Sequence, residues 1–420
     1  MSGLAARNGG RAGLALLVAI LLLATGLRLG EAWDGRAPVY DAQGYAAIAA
    51  NLERGEGFTL GPQATQPASN YSPGLPLLVS GLYELTGGVH ERFARVVLAL
   101  IGALSVLFTY LIGRRLSGPF AGLVGAGAVA IYPALLEYQG MLMGEPLATT
   151  LLSGAVLGTL WADRPATWLV PGLLFGALAL VRPEYLAIAV VVAGLVLLRS
   201  GLVRALILLL GVAVVVAPWT VRNVVALDRV VPVSTGGGQV LFAGSYLPSG
   251  GDPERVGEEV LERHPGLARQ LPEDARLEQI LAALAEQRYP ELESDAALAR
   301  MGRERLRDDV SDRPLDYVGF VAAKVWRIWA FGPRDVMREP AWKVLHWLLV
   351  AFGLVGLVVL ARQRRWEALL LGGILLAVTA TGALLVASPR RVLVTVPLVA
   401  ALAGTGATAC RDSLSRRWNR

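Results

Sequence analysis

The sequence predicts an all-helical, multi-pass membrane fold with one long hydrophilic region outside the bilayer. Two observations carry that expectation. Of the 420 residues, 54% are hydrophobic and only 17% charged, with a mean hydropathy of +0.52, where a soluble domain carries about a quarter charged residues. Apolar runs long enough to cross a bilayer also recur along most of the chain, with arginines gathered between alternate runs. Such a chain does not bury a single water-excluding core. Its spans pack through small residues, and the 48 glycines supply them.

Taken in order, Arg7 and Arg11 precede an apolar segment from about Gly13 to Leu29, which approaches the length of a span. A cleaved signal peptide is the alternative, and both place the loop that follows outside. Pro73 to Gly88 is short and moderately apolar, which suits a juxtamembrane helix. The second span runs from about Phe93 to Ile112 and ends at Arg114 and Arg115, a cytoplasmic mark. The third returns outward from Phe120 to about Leu136, and the fourth goes in from Glu145 to Trp161. Trp168 to Leu198 is too long for one span by about ten residues and carries Arg182, Pro183 and Glu184 at its middle, where charge is costly. Splitting it there gives spans five and six and keeps Arg199 and Arg204 inside. The seventh runs from Ala205 to Pro218 and exits at Trp219 and Arg222.

Residues 223–340 are the long hydrophilic region. Asp252 to Asp312 has Glu, Arg, Leu and Ala at helical spacing, with Pro265, Pro272 and Pro290 as breaks. Tyr317 to Phe331 mixes Lys324 and Arg327 with aromatics, the composition of an interfacial helix. Spans eight (Val344 to Leu360), nine (Ala368 to Val386) and ten (Val392 to Ala409) follow. About ten spans with both termini cytoplasmic place Arg362, Arg364, Arg365 and the basic tail inside. The chain then divides into an N-terminal membrane module (1–222, with its first outer loop at 31–92), an extracytoplasmic helical region (223–340) and C-terminal membrane helices (341–420).

Several function classes drop out. A single Cys, Cys410, forms no internal disulfide framework. His90, His264 and His346 are scattered and make no zinc motif. The net charge of +6 is accounted for by arginines on cytoplasmic loops, and no nucleic-acid motif is present. Ser234 to Gly238 is Gly-rich, but no Lys follows in P-loop spacing, which leaves a tight turn.

The residues that invite chemistry sit at the outer ends of spans. In the first outer loop Asp41, Tyr45, Ile48 and Leu52 share one helical face, apolar except for the acid at its head. Gly55 and Gly57 end that helix, and loop follows. Capping of the helix N-terminus is the alternative role for Asp41. Glu145 enters span four, where an acid also favours a helix N-terminus. Arg182 and Glu184 lie between spans five and six, Arg222 leaves span seven, and Arg390 and Arg391 enter span ten. Singly, such arginines snorkel to headgroups. Together, arginines and carboxylates at one membrane face suit the holding of a lipid-linked phosphate, with a carboxylate as base or metal ligand.

The sequence resembles the bacterial glycosyltransferase family 39 proteins, relatives of the protein O-mannosyltransferases and the aminoarabinose transferase, which have the GT-C fold. The resemblance runs in order along nearly the whole chain. It includes Asp41 and Tyr45, the run from Tyr71 to Gly88, Gly113 to Gly118, Gly144 to Ala148, Arg182 with Pro183, and Ser388 to Val399. Its most specific part is PWTVRN, ending at Asn223, followed by STGGG from Ser234. The resemblance implies catalysis on the outer face of the bacterial inner membrane, with a polyprenyl-phosphate-linked sugar as donor and an unidentified acceptor (protein, lipid or polysaccharide). It implies Asp41 and Glu145 as catalytic acids. Tyr45, Tyr71, Arg182, Arg222, Asn223 and Arg390 are then the substrate-binding residues. A divalent metal ion, if one is used, would sit on Asp41 and Glu145. Many relatives carry an Asp-Glu pair in the first loop; here Ala42 follows Asp41, so one carboxylate must suffice. Arg391 stands where relatives have an aromatic. A transporter or flippase for lipid-linked sugars is the first rival; it needs ionisable groups along a path through the bilayer. A non-catalytic envelope scaffold is the second.

Overall fold

A computed structural model describes residues 2–61, 67–330 and 332–418. The described residues are helical throughout, with no strand. In chain order the helices are α1 (Ser2–Asp34), α2 (Tyr40–Glu53), α3 (Gly74–Thr86), α4 (Glu91–Ser117), α5 (Pro119–Ala130), α6 (Pro133–Glu137), α7 (Glu145–Trp161), α8 (Leu169–Val181), α9 (Tyr185–Ser200) and α10 (Leu202–Leu227). Then come α11 (Gly237–Ser245), α12 (Val256–Arg263), α13 (Pro265–Ala268), α14 (Leu277–Arg288), α15 (Ser294–Asp312), α16 (Pro314–Ala330), α17 (Pro340–Arg362), α18 (Trp366–Leu384), α19 (Pro389–Leu393) and α20 (Val396–Trp418). They gather into two units. The first comprises Met1–Val233, Arg334–Leu375 and Leu393–Arg420; the second comprises Ser234–Pro333 and Leu376–Val392.

Helices occupy all ten expected span positions, but the spans are unequal. By length and composition five described helices can cross a membrane: α1 from Arg11, α4, α10, α17 and α18. This is a multi-pass membrane protein. The expected third span is corrected to a pair, α5 and the segment from Pro133 to Gly140, bent by 56°. Pro133 is the cause: it opens the second piece and cannot continue the first. The split at Arg182 holds, giving the short apolar helices α8 and α9. The seventh span runs further than expected, because Pro218 is accommodated inside α10 and the helix continues through Arg222. Asp228, at φ 51°, turns the chain out of it.

In the first unit, helices meet backbone to backbone. A Cβ on Gly356 of α17 would lie 2.0 Å from the Leu402 carbonyl oxygen of α20, so the residue there must be glycine. The break after α5 leaves carbonyls without helical partners. Arg28 of α1, 1% exposed, answers them: its guanidinium donates to the carbonyls of Val129, Ala130 and Ala24. At the same break Tyr132 shares a 3.0 Å hydrogen bond with His346 of α17, and both are buried. These polar groups tie neighbouring helices together.

The second unit has its own apolar core, formed by Phe242, Tyr246, Val260, Leu281, Leu284, Leu298 and neighbours from α11, α12, α14 and α15. The STGGG stretch is a bend whose last two glycines open α11. Gly236 takes φ 93° ahead of α11, and the amides of Gly238 and Gln239 donate to Asp295 Oδ1 at 2.8 and 3.2 Å. That carboxylate occupies the helix N-terminus that a phosphate would need. Both cations of helix α16 have partners. Arg327 pairs with Asp252 at 3.0 Å. Lys324 is 1% exposed and donates to the Gly244 carbonyl at 2.7 Å. Burial, with Arg391 nearby, pushes its ammonium down to about 8. Phe331, the last residue of the expected interfacial segment, lies outside the described residues.

Candidate active site

Helix α2 begins one residue before Asp41. Its N-cap position is Val39, with no side-chain cap bond, and Asp41 lies inside the first turn. The capping role considered from sequence therefore falls on a different residue. Asp41 is half-buried at the positive end of the helix dipole. The helix ends as expected, at Gly55 and Gly57 in left-handed conformation (φ 76° and 78°). Residues 62–66 of the loop lie outside the described residues.

The face that Asp41 heads packs on two neighbours. Tyr45 meets Tyr71 edge to face, with ring centroids 5.4 Å apart. A Cβ on Gly44 would fall 2.3 Å from the Tyr71 ring. Ile48 and Tyr71 then join Phe58, Ala68, Leu52 and Trp219 in one apolar cluster. On the other side Tyr45 and Ala46 pack with Leu142 and Leu147, which flank Glu145. Tyr45 thus links the two groups through its ring contact with Tyr71.

Arg222 stands over the first cluster. Its guanidinium lies 4.8 Å from the Trp219 ring and 5.5 Å from the Phe58 ring. Its Nη1 donates to Asn223 Oδ1 at 3.1 Å. Asn223 is buried, and its amide donates to the carbonyls of Val231 and Val233 at 2.9 and 3.0 Å. Trp219 Nε1 donates to Val233 as well, at 2.8 Å. The PWTVRN motif is therefore a latch. Trp219 and Asn223 tie the end of α10 to the following chain, and Arg222 is left with no carboxylate partner among the described residues. That is an unusual state for a half-buried cation.

Glu145 and Arg182 form the second pole. Glu145 is fully buried at the start of α7, and Arg182, at the end of α8, donates to its Oε1 at 2.6 Å. Arg182 also faces Glu184 at 3.5 Å. The sequence singled out both residues without pairing them. As arranged, Arg182 balances the buried acid, and Glu145 is already committed to a cation. Among the described residues no three His, Cys, Asp or Glu side chains gather as a metal site. Breaking a buried pair strands its partner, at about 3–5 kcal/mol. Arg182→Ala is expected to lower thermal stability in detergent by an amount of that order. Combining Arg182→Met with Glu145→Gln should recover most of it, as thermal unfolding would show.

Arg390 belongs to the second unit, where its amide donates to Ser388 Oγ at 3.3 Å and the neighbouring Arg391 donates to the Val386 carbonyl. Two features escaped the sequence. Phe58 completes the platform under Arg222, but a lone aromatic in a loop gives no signal. Glu137 binds Arg334 at 2.7 Å and Arg36 at 3.5 Å, while Arg36 also pairs with Glu31 at 2.8 Å. These four residues are too dispersed along the chain for spacing to join them.

No protein-family model and no curated protein sequence matches the chain. Solved structures do. The Archaeoglobus fulgidus oligosaccharyltransferase in its apo form aligns with 97% of this chain and 52% of its own, at 16% identity and TM-score 0.57. AglB of the same organism, in complex with an inhibitory peptide and a dolichol-phosphate, aligns with 97% of this chain and 51% of its own, at 16% identity and TM-score 0.56. ArnT of Cupriavidus metallidurans bound to undecaprenyl phosphate covers 94% and 78% at 16% identity, with a TM-score of 0.44 that is too low to bear on the fold. The chain spans about half the length of the oligosaccharyltransferases it matches. At such identities the likeness speaks for the fold alone, and the fold it shows is that of the archaeal oligosaccharyltransferase.

Proposed function

We propose that this chain is an integral-membrane glycosyltransferase that moves a sugar from a polyprenyl-phosphate donor to an acceptor on the extracytoplasmic face of the membrane. Arg222 carries the proposal. It is a guanidinium held over two rings, without a carboxylate partner among the described residues, and its cluster packs against the helix that Asp41 heads. Such a group takes a phosphate oxygen pair. The archaeal oligosaccharyltransferase of like fold is described with dolichol-phosphate, a lipid phosphate of the same class.

In the reaction, the acceptor oxygen attacks C1 of the sugar. The C1–O bond to phosphate breaks, and its electron pair leaves on the polyprenyl phosphate. Asp41 takes the acceptor's proton, and Arg222 stabilises the charge that develops on the phosphate. Asn223 is a positioning residue that fixes Arg222. Tyr45 and Tyr71 pack together beside the Arg222 platform, on the face of α2 that Asp41 heads. The Glu145–Arg182 pair holds the adjoining helix ends at a fixed charge. A transporter would need ionisable groups available along the bilayer path. Those found inside the spans, Arg28 and His346, are engaged in helix contacts.

The test uses the purified chain in proteoliposomes with synthetic polyprenyl-phosphate sugars and membrane extract as acceptor. Release of free polyprenyl phosphate, read by mass spectrometry, is expected. Movement of intact donor between leaflets without cleavage of any donor would favour the transporter and remove the transferase.

A further inference from the structure

The second unit contains a cavity of about 630 Å³, within the size range of small-ligand sites. Leu284 and Met301, from α14 and α15, give it an apolar floor. Its walls are polar: His264, Gln287, Arg288, Arg305, Asp308 and Asp309 all contribute. Arg305 is the informative one. It is half-buried, and its guanidinium lies 4.7 Å from the Tyr246 ring and 5.3 Å from the Phe242 ring, which orient it. Burial lowers its proton affinity, so the site as it stands penalises this charge.

Three carboxylates, Glu304, Asp308 and Asp309, line the cavity with its three arginines, but no direct ion pair joins them among the described residues. Arg288, Arg305 and Arg313 make no ion pair among the described residues. Glu304, which adjoins Arg305 in sequence, is already taken, by Tyr289 Oη at 2.8 Å and by Arg300 at 3.1 Å. Asp309 faces the same space, and burial pushes its carboxyl up. An anion would satisfy the arginines. The amide of Gln287 and the carboxyls of Asp308 and Asp309 are planar groups that accept or donate to hydroxyls. An apolar floor beneath polar walls suits the C–H face of a sugar ring. We propose that this cavity binds an anionic saccharide, a sugar carrying a phosphate or a carboxylate, with the anion on Arg305 and Arg288 and the hydroxyls on Gln287, Asp308 and Asp309. The site uses none of the residues assigned to sugar transfer, and it stands or falls separately from that reaction.

Calorimetry on the full-length protein in detergent tests this with four probes: glucuronate, glucosyl phosphate, glucose and inorganic phosphate. The two anionic sugars are expected to bind at least about tenfold more tightly than glucose or phosphate alone, the loss of one charge-assisted contact set. Arg305→Gln should weaken both by about tenfold or more. Arg288→Gln, at an exposed position whose only ring contact is Tyr289 at 5.9 Å among the described residues, should weaken them with the thermal unfolding midpoint nearly unchanged, which guards against misfolding of the first variant. Equal affinity of wild type and both variants, or no binding of either anionic sugar, would overturn the site. Inorganic phosphate binding as tightly as glucosyl phosphate would overturn the saccharide assignment.

Discussion

Asp41→Asn is expected to reduce sugar transfer by at least about a hundredfold, the lower end of what a general base contributes, while the protein stays folded and inserted. Asparagine keeps the size and the hydrogen-bonding capacity of the side chain but cannot take the acceptor's proton. The structure sharpens this test. The N-cap position belongs to Val39, so Asp41 stabilises α2 through its place in the first turn rather than as its cap, by about 0.3–2 kcal/mol for a half-buried acid at a helix N-terminus. A small shift in unfolding temperature with a large loss of transfer is the signature of a base. The measurement is turnover at matched protein level with a defined donor, alongside thermal unfolding in the same detergent. Turnover near that of wild type would return Asp41 to a purely local role in its helix.

The helical membrane fold was legible because it depends on composition and on the placement of arginines, both of which are local. So were the break at Arg182 and the stop at Gly55, since charge inside an apolar run and glycine after an amphipathic turn have direct backbone consequences. What the sequence hid depends on distance. Glu145 and Arg182 are 37 residues apart, and nothing in spacing pairs them. Lys324 looked like an interfacial anchor because its neighbours are aromatic, yet the Gly244 carbonyl, 80 residues away, draws it inside. Pro218 looked like an exit from the membrane, but the end of α10 is held by the side chains of Trp219 and Asn223, so the helix persists past it. Of the site, the residue types and their order were readable. Which arginine is committed and which is available was not, because that is decided by the partners each one meets.

That distinction sets the second expectation. Arg182 already balances Glu145, whereas Arg222 has only Asn223 and two ring faces. Arg222→Lys keeps the charge but loses the planar fork and its stacking on Phe58 and Trp219, so bidentate grip on a phosphate goes with it. Transfer should fall about tenfold to a hundredfold, the equivalent of about 1.5–3 kcal/mol for hydrogen bonds to a charged group. Arg222→Ala should lose at least as much. The kinetic pattern separates roles. If Arg222 grips the donor phosphate equally before and during bond breaking, the donor KM rises and kcat holds; if it meets charge that develops on the leaving phosphate, kcat falls with kcat/KM. The second pattern is expected here, since the phosphate gains charge as the C1–O bond breaks. Asn223→Ala supplies the control for positioning. It leaves the guanidinium in place but unlatches it, and should reproduce a partial loss together with lower stability, since the Val231 carbonyl loses its donor and the Val233 carbonyl keeps only Trp219. Donor kinetics unaltered by Arg222→Ala would take this arginine, and with it the basis for the phosphate site, out of the mechanism.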